Sequence, residues 1–451
     1  MSTDTFNPQT LAQALLDAAR AAGSDAADAM VIDGTSVSID VRGGRLEHAE
    51  RAEGLDLGLR VLVGQRQACV SSSDARPETL AAMAERAVAM AREAPDDPYA
   101  GLAEAGQLSS RRGAEGLELL DTTPEPDPET LEADARRAEA AALSVAGVSQ
   151  IDQASAAYSQ RQVYLAASNG FAGGYGRTSR HISCVAITGE GTAMERDWAS
   201  EGRIFQADLP SPESIGQQAG ERTVARSGSR KPPSGSFPVL YDERVAASLI
   251  GHLSSAFNGS AIARGSSWLR DAMGTAVLPK GMDLIEDPLR VRIAGSRPFD
   301  AEGLETRARH WVQDGVLQGW VLDLATGRKL GMDSTANASR GPTSPPSPTL
   351  SCLALTQGTQ SRADLLRDMG TGLLVTSLIG STINPTTGDY SRGASGFWVE
   401  NGEIRYPVNE CTIAGNLRDM LLGLVAANDA RQHLSNRVPS LLVEGLTLAG
   451  A

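Results

Sequence analysis

Apolar and polar positions follow two rhythms along this chain, and the order of those rhythms predicts its elements. In "QTLAQALLDAARAA", residues 9–22, Leu11, Leu15 and Ala18 recur at helical spacing, and Gly23 stops the run. The segments "ADAMVIDG", "SVSIDVRGG", "GLDLGLRVLVG" and "RQACVSSSD" then alternate over short distances between glycines, the pattern of an antiparallel meander. Helical periodicity returns in "RPETLAAMAERAVAMAREA", which completes a first α+β unit over residues 1–95. From 96 to 128 Pro, Asp and Glu dominate and periodicity fades, which predicts a surface linker.

A helix over 129–146 opens a second α+β unit, residues 129–226, whose strand-like runs and Gly-rich turns close on a polar helix at 211–226. The tract "SGSRKPPSGSFP", 227–238, can continue neither helix nor central strand and reads as a linker. Residues 239–451 form the last domain. There "HWVQDGVLQGWVLD" and "GFWVENGEIRYPV" predict hairpins turning at Asp314-Gly315 and Asn401-Gly402. The segment "DSTANASRGPTSPPSPTL", 333–350, is too long and proline-rich for an ordinary connection and suggests a lid or a partner contact. The predicted class is therefore α+β: two N-terminal α+β units with antiparallel sheets, then a strand-rich C-terminal domain with a few packed helices.

Composition narrows the function classes. The 451 residues carry a formal net charge of -14, and no block of Lys and Arg offsets it, so nucleic acid is not an expected partner. No stretch approaches the ~18 apolar residues of a membrane span, and the start lacks a basic and apolar leader, so the expected setting is cytoplasmic. The four cysteines, Cys69, Cys184, Cys352 and Cys411, are far apart and read as reduced thiols.

Candidate chemistry centres on "VLYDERVAASLIGHL", 239–253, a buried strand running into a helix capped by Asp242 with an apolar stripe of Val245, Leu249, Leu253 and Phe257. Asn258-Gly259 is its expected stop. Glu243 and His252 lie nine residues apart, on opposite sides at roughly 100° per residue, and so cannot grip one ion. HExxH and related zinc pairs are absent, and His48, His181, His252, His310 and His433 fall in separate segments. His252 is therefore expected to be structural or to face a peptide. No GxSxG elbow and no phosphate loop occurs, and "GEGTAM", 189–194, reads as a hairpin turn. Ser395, between glycines in "GASG", lacks a nearby histidine base. In "MERDWASEG" the charges of Glu195, Arg196 and Asp197 suggest a solvated or ion-paired face.

The stretch "GLLVTSLIGSTINPTTGDYSRGASGFWVENGEIRYPVNECTIAGNLRDML", 372–421, strongly resembles the PmbA/TldE side of the TldD/PmbA family. "LRVLVGQRQACVSSSD", "DDPYAGL", "MERDW", "HLSSAFNGSAIARGSSWL" and "VPSLLVEGLTLAGA" extend the resemblance over most of the chain in family order. It implies a cytoplasmic, heterodimeric zinc metalloprotease that trims unfolded peptides, with zinc only in the TldD-like partner. That partner carries an HExxxH helix and a late cysteine ligand, where this chain has "YDERVAASLIGHL" and a tail without cysteine after Cys411. The expectation is a chain without cofactor, paired with a TldD-like zinc-bearing subunit, with a homodimer of the isolated chain left open. Peptide-contact candidates are Asp389, Tyr390, Arg392, Gly393, Ser395 and Gly396, together with His252; glycines there permit close approach and Arg392 suits a peptide carbonyl or C-terminus. Two other readings stay open: a regulatory module of the gyrase-modulator type without peptidase activity, and an autonomous hydrolase using Ser395 or Cys411.

Overall fold

The computed structural model describes residues 7–450. Helix α1 (Pro8–Ala21) starts on an Asn7 cap and buries Leu11, Leu15 and Leu16. It lies on a meander of β1 (Ala26–Arg42), β2 (Arg45–Val63) and β3 (Arg66–Ser72), joined on the same side by α2 (Pro77–Glu93). The segments "ADAMVIDG" and "SVSIDVRGG" are one strand, because Gly34 does not break β1: it pairs across to Gly54 and lies against the Gln160 carbonyl, where a Cβ would clash.

The second unit adds α3 (Pro128–Leu143), β4 (Val148–Ala167), β5 (Ala172–Thr188), β6 (Glu195–Arg203) and α4 (Pro212–Val224). Its strands continue the first sheet. β1 pairs with β4 in antiparallel register from Asp28↔Ala167 to Val41↔Ala154, giving one six-stranded sheet in the order β3-β2-β1-β4-β5-β6. Each helix pair covers its own end of that sheet. α1 and α2 bury Val31, Leu57 and Leu59, whereas α3 and α4 bury Val37, Ile39, Ile182 and Ala199.

The predicted 227–238 linker ends earlier than its composition suggests: its last residues, 235–238, already belong to β7 (Gly235–Tyr241), which pairs with strands on both sides, and α5 (Glu243–Ala256) and α6 (Gly259–Ala263) follow. The predicted strand-to-helix segment forms as read, with the Asp242 carboxylate accepting from the Arg244 amide. Asn258, expected to stop that helix, instead caps α6. β8 (Leu284–Glu286), β9 (Arg309–Gln313) and β10 (Val316–Leu317) follow, then α7 (Leu324–Leu330), the hairpin β11 (Ala338–Ser339) and β12 (Ser347–Pro348), β13 (Leu353–Leu355), which joins β8 to complete a small sheet in the order β10-β9-β8-β13, and α8 (Arg362–Met369).

The last elements are β14 (Gly372–Ile383), β15 (Asp389–Glu400), β16 (Glu403–Asn416), α9 (Leu417–Leu422), β17 (Val425–Ala426) and β18 (Leu441–Ala449). They are ordered β16-β15-β14-β7-β18-β17, and β16 also pairs with β18, which closes five strands into a barrel around the main core. The predicted turns are present: Asp314 and Asn401 both take positive φ, each before a positive-φ glycine.

Two segments read as loose are fixed. In the linker, Arg230 donates its amide to the Pro407 carbonyl and stacks its guanidinium over the Tyr406 ring at 3.7 Å. The long 333–350 loop docks on the N-terminal sheet rather than standing free as a lid. Its Arg340, with 1% of its side chain exposed, pairs with Asp28, and Pro342 lies against Gly58.

Candidate functional site

The peptide-contact candidates lie along β15, with His252 on α5 behind them, and alternation along the strand divides their side chains between two environments. Tyr390, 2% exposed, faces the barrel core, where its hydroxyl meets that of Tyr241 at 3.4 Å and its ring lies edge-on to His252 at 5.9 Å. His252 borders an open cavity of about 400 Å³ with Arg264, Trp268 and Ile383. Burial, aided by Arg392, lowers its pKa below the ordinary 6.5 and favours neutral imidazole.

Asp389 accepts from Thr387 at 2.6 Å and from Asn416 at 3.1 Å, which lowers its pKa and ties it to the loop before β15. Arg392 donates to the Gly380 carbonyl at 2.7 Å. Gly393 runs beside Ile379, and Gly396 lies so close to the Leu374 carbonyl that a Cβ there would collide with it. The glycines of "GASG" thus serve close packing of β15 on β14.

Ser395 points away from His252, toward a second and larger open cavity of about 700 Å³ between the N-terminal sheet and the barrel. Its oxygen accepts from Arg226 Nη2 at 3.0 Å. Arg226, just past α4, is held in turn by Glu195 at 3.5 Å and Asp197 at 3.8 Å, so "MERDW" and "GASG" meet here although the sequence sets them about two hundred residues apart. Asn409 also donates to Glu195, at 2.6 Å. Met194, Trp198 and Ile379 line the mouth with 50%, 47% and 70% of their surfaces exposed. A cavity with buried charge at its base and apolar residues at its rim suits an amphipathic ligand.

Neither proposed nucleophile is activated. Among the described residues no histidine lines the Ser395 cavity, and the cation beside Ser395 donates to the oxygen rather than removing its proton. Burial pushes the Cys411 thiol up to about 11, and the thiol donates to the Ala394 carbonyl at 3.2 Å.

A charged chain continues from Asp197, one that sequence reasoning did not assemble. Arg244 Nη1 reaches Asp197 at 3.0 Å and its Nε reaches Asp242 at 3.2 Å, while Arg362 holds the other oxygen of Asp242. At the far side Arg431 bridges Glu243 and Glu201, both at 3.0 Å, and Glu201 also contacts Arg203 at 2.7 Å and His433 at 3.2 Å. Burial alone would push Glu201 up, but Arg203, Arg431 and His433 together hold it below the usual glutamate range. Burial does push Glu243 up, with Arg431 countering only part of it.

Glu243 and His252 therefore diverge as their spacing requires: one is neutralised by an arginine from the C-terminal tail, the other packs on Tyr390. Among the described residues no group of three or more His, Cys, Asp and Glu is arranged to hold a metal ion. The signal that sequence reasoning lacked was pairing between segments. Arg226, Arg244 and Arg431 are unremarkable in their local context and acquire partners only when the sheet and barrel meet.

The chain resembles known proteins along nearly its whole length. The family description "PmbA/TldA metallopeptidase C-terminal domain" matches residues 234–450, with domain 1 of the same family at 27–91 and its central domain at 121–227. Metalloprotease PmbA of Escherichia coli O157:H7 is 34% identical over 428 residues, covering 95% of this chain and 93% of that protein. A Metalloprotease PmbA homolog of Haemophilus influenzae is 36% identical, covering 98% and 96%. A Bacteroides thetaiotaomicron crystal structure, described as that of a candidate modulator of DNA gyrase, superposes with a TM-score of 0.91 at 28% identity over 100% of both chains. TldE from Thermococcus kodakarensis shares the fold, with a TM-score of 0.84 at 19% identity, over 98% of this chain and 100% of that one.

Proposed function

The chain belongs to the PmbA/TldD metallopeptidase family, and from that premise we propose that it is the zinc-free subunit of a two-chain metallopeptidase that degrades or trims unfolded peptides. In this reading a TldD-like subunit supplies the zinc. The observation that carries it is the state of α5. Glu243, in the first turn, is ion-paired to Arg431 with Arg222 and Arg244 nearby, and His252 has Arg392 as its charged neighbour. The Glu243 carboxylate is already taken up by Arg431, and the two side chains do not converge, so the residues present do not fit a zinc ion.

What this chain contributes is binding and exclusion. The cavity between sheet and barrel offers an apolar rim of Met194, Trp198 and Ile379 to side chains of an extended peptide. Arg226 and the charged chain behind it hold the cavity wall in one geometry, so substrate ordering is not spent on reorganising the wall.

The test is metal content and peptidase activity of the purified chain, alone and with a TldD-like subunit. The expected result is no stoichiometric zinc and no cleavage by the chain alone, with cleavage of an unfolded peptide once the second subunit is added. One zinc per isolated chain, or chelator-sensitive hydrolysis without the second subunit, would sink the reading. The description of the Bacteroides thetaiotaomicron relative favours a second reading, a regulatory module that binds gyrase. Stable co-purification with gyrase, and none with a TldD-like subunit, would select it.

A further inference from the structure

The cavity that His252 borders has no carboxylate among its lining residues. The cavities lined by Ser395, by Arg307, by Met332 and by Leu102 each carry at least one aspartate or glutamate, as suits a chain of net charge -14. Two donors in this one cavity are left unused by the fold. Arg264, the residue after α6, is exposed, and its guanidinium has no hydrogen bond or ion pair among the described residues. His252 Nε2 is buried and likewise without a partner. A buried polar atom that the chain does not satisfy calls for a partner from outside it.

The surroundings state the sign of that partner. Arg392 lies near His252, and Arg418 places its guanidinium over the Trp268 ring at 5.6 Å; each donates to a backbone carbonyl, Gly380 and Trp268 respectively, and not to a carboxylate. Positive charge therefore borders the cavity without being neutralised inside it, which favours an anion. The remaining wall is largely apolar, with Trp268, Ile383 and Pro385. Trp268 is held in place: its amide donates to the Pro385 carbonyl at 2.8 Å, its carbonyl accepts from Arg418, and Gly388 lies against its ring. A wall already in position spares a ligand the cost of ordering it.

We propose that this cavity binds a carboxylate carried next to an apolar group, with Arg264 gripping the carboxylate, His252 Nε2 donating to it, and the apolar group resting on Trp268 and Ile383. The planar fork of a guanidinium matches the two oxygens of a carboxylate, and one unpaired guanidinium balances one negative charge. A neutral imidazole still has one N–H to donate. That the carrier is an unfolded peptide rests on the proposed function; such a peptide offers the group at its C-terminus or on an acidic side chain beside an apolar one. Binding here requires neither zinc nor a second subunit, so the site can fail while the zinc-free reading of the chain stands, and the reverse.

Titration calorimetry of the full chain, without a second subunit, tests it with three probes: N-acetyl-alanyl-phenylalanine, its C-terminal amide, and N-acetyl-aspartyl-phenylalaninamide. The free acid is expected to bind about tenfold or more tighter than its amide, the worth of one charge-assisted contact. Equal binding of the aspartyl probe assigns the site to carboxylates in general, and its failure to bind assigns the site to chain termini; either supports the proposal. Arg264→Gln is expected to abolish the preference for acid over amide with an unchanged thermal midpoint, since that guanidinium holds nothing else, and Arg264→Lys to keep part of it. His252→Phe retains a ring beside Tyr390 and is expected to weaken the acid but not the amide. Acid and amide binding alike, no binding of the acid at millimolar concentration, or an acid preference that survives Arg264→Gln overturns the proposal.

Discussion

At the scale of single residues, Arg226 shows how much one side chain carries. It joins the N-terminal sheet to the barrel through Glu195, Asp197 and the Ser395 hydroxyl, and it is almost wholly buried. Removing one member of a buried charged group leaves the others uncompensated, which costs more than the group as a whole contributes. Arg226→Met is therefore expected to lower stability in urea unfolding by about 3 kcal/mol. Ser395→Ala removes only one acceptor and is expected to cost about 1 kcal/mol and, in the proposed two-subunit enzyme, to leave peptide cleavage in place. A loss of cleavage in Ser395→Ala with stability retained would reinstate the serine as a participant in the chemistry.

At the scale of elements, close approach is set by small residues. α3 and α4 meet where Gly216 lies against the Ala138 carbonyl and Gly220 against Ala142 and Val145, and a Cβ at Gly216 would overlap that carbonyl. Backbone cannot yield as a flexible side chain can, so Gly216→Ala must push the helices apart and loosen Leu131, Ile215 and Ala219 together. The expected cost is about 2 kcal/mol, read as a lower denaturation midpoint with an unchanged slope. Element positions were largely legible: the helix read at 9–22 spans Pro8–Ala21, the one read at 211–226 spans Pro212–Val224, and both Gly-containing hairpin turns fall where expected. These follow from capping, periodicity and turn chemistry within a few residues. Apart from the β9–β10 hairpin, which its Asp-Gly turn marks, the short C-terminal helices and strands were not legible, because segments of two to eight residues complete too few periods to register.

At the scale of the whole molecule, the 333–350 loop ties the C-terminal domain to the N-terminal sheet. Arg340 inserts between the two and shares Asp28 with Arg60, whose Nε donates to that carboxylate at 2.6 Å. Arg340→Ala is expected to destabilise the chain by about 3 kcal/mol, since it uncovers a buried carboxylate and a docking contact at once. Because the contact spans the two halves, the variant is also expected to split a single unfolding transition into two, resolvable by calorimetry. One sharp transition in the variant, as high as that of the unsubstituted chain, would remove the loop from this role.

The sequence alone determined the family, the α+β class, the start of the barrel at its strand-to-helix segment, and the divergence of Glu243 and His252, which helical geometry imposes whatever surrounds them. Tertiary structure decided that the two N-terminal units share one sheet through β1 and β4, that the barrel closes through β16 and β18, and that Ser395 looks onto Arg226 instead of His252. The physical reason is the range of the interactions. Periodicity and caps are written in contacts a few residues long, whereas strand pairing and buried ion pairs join residues hundreds apart, and their partners exist only once the chain has closed on itself.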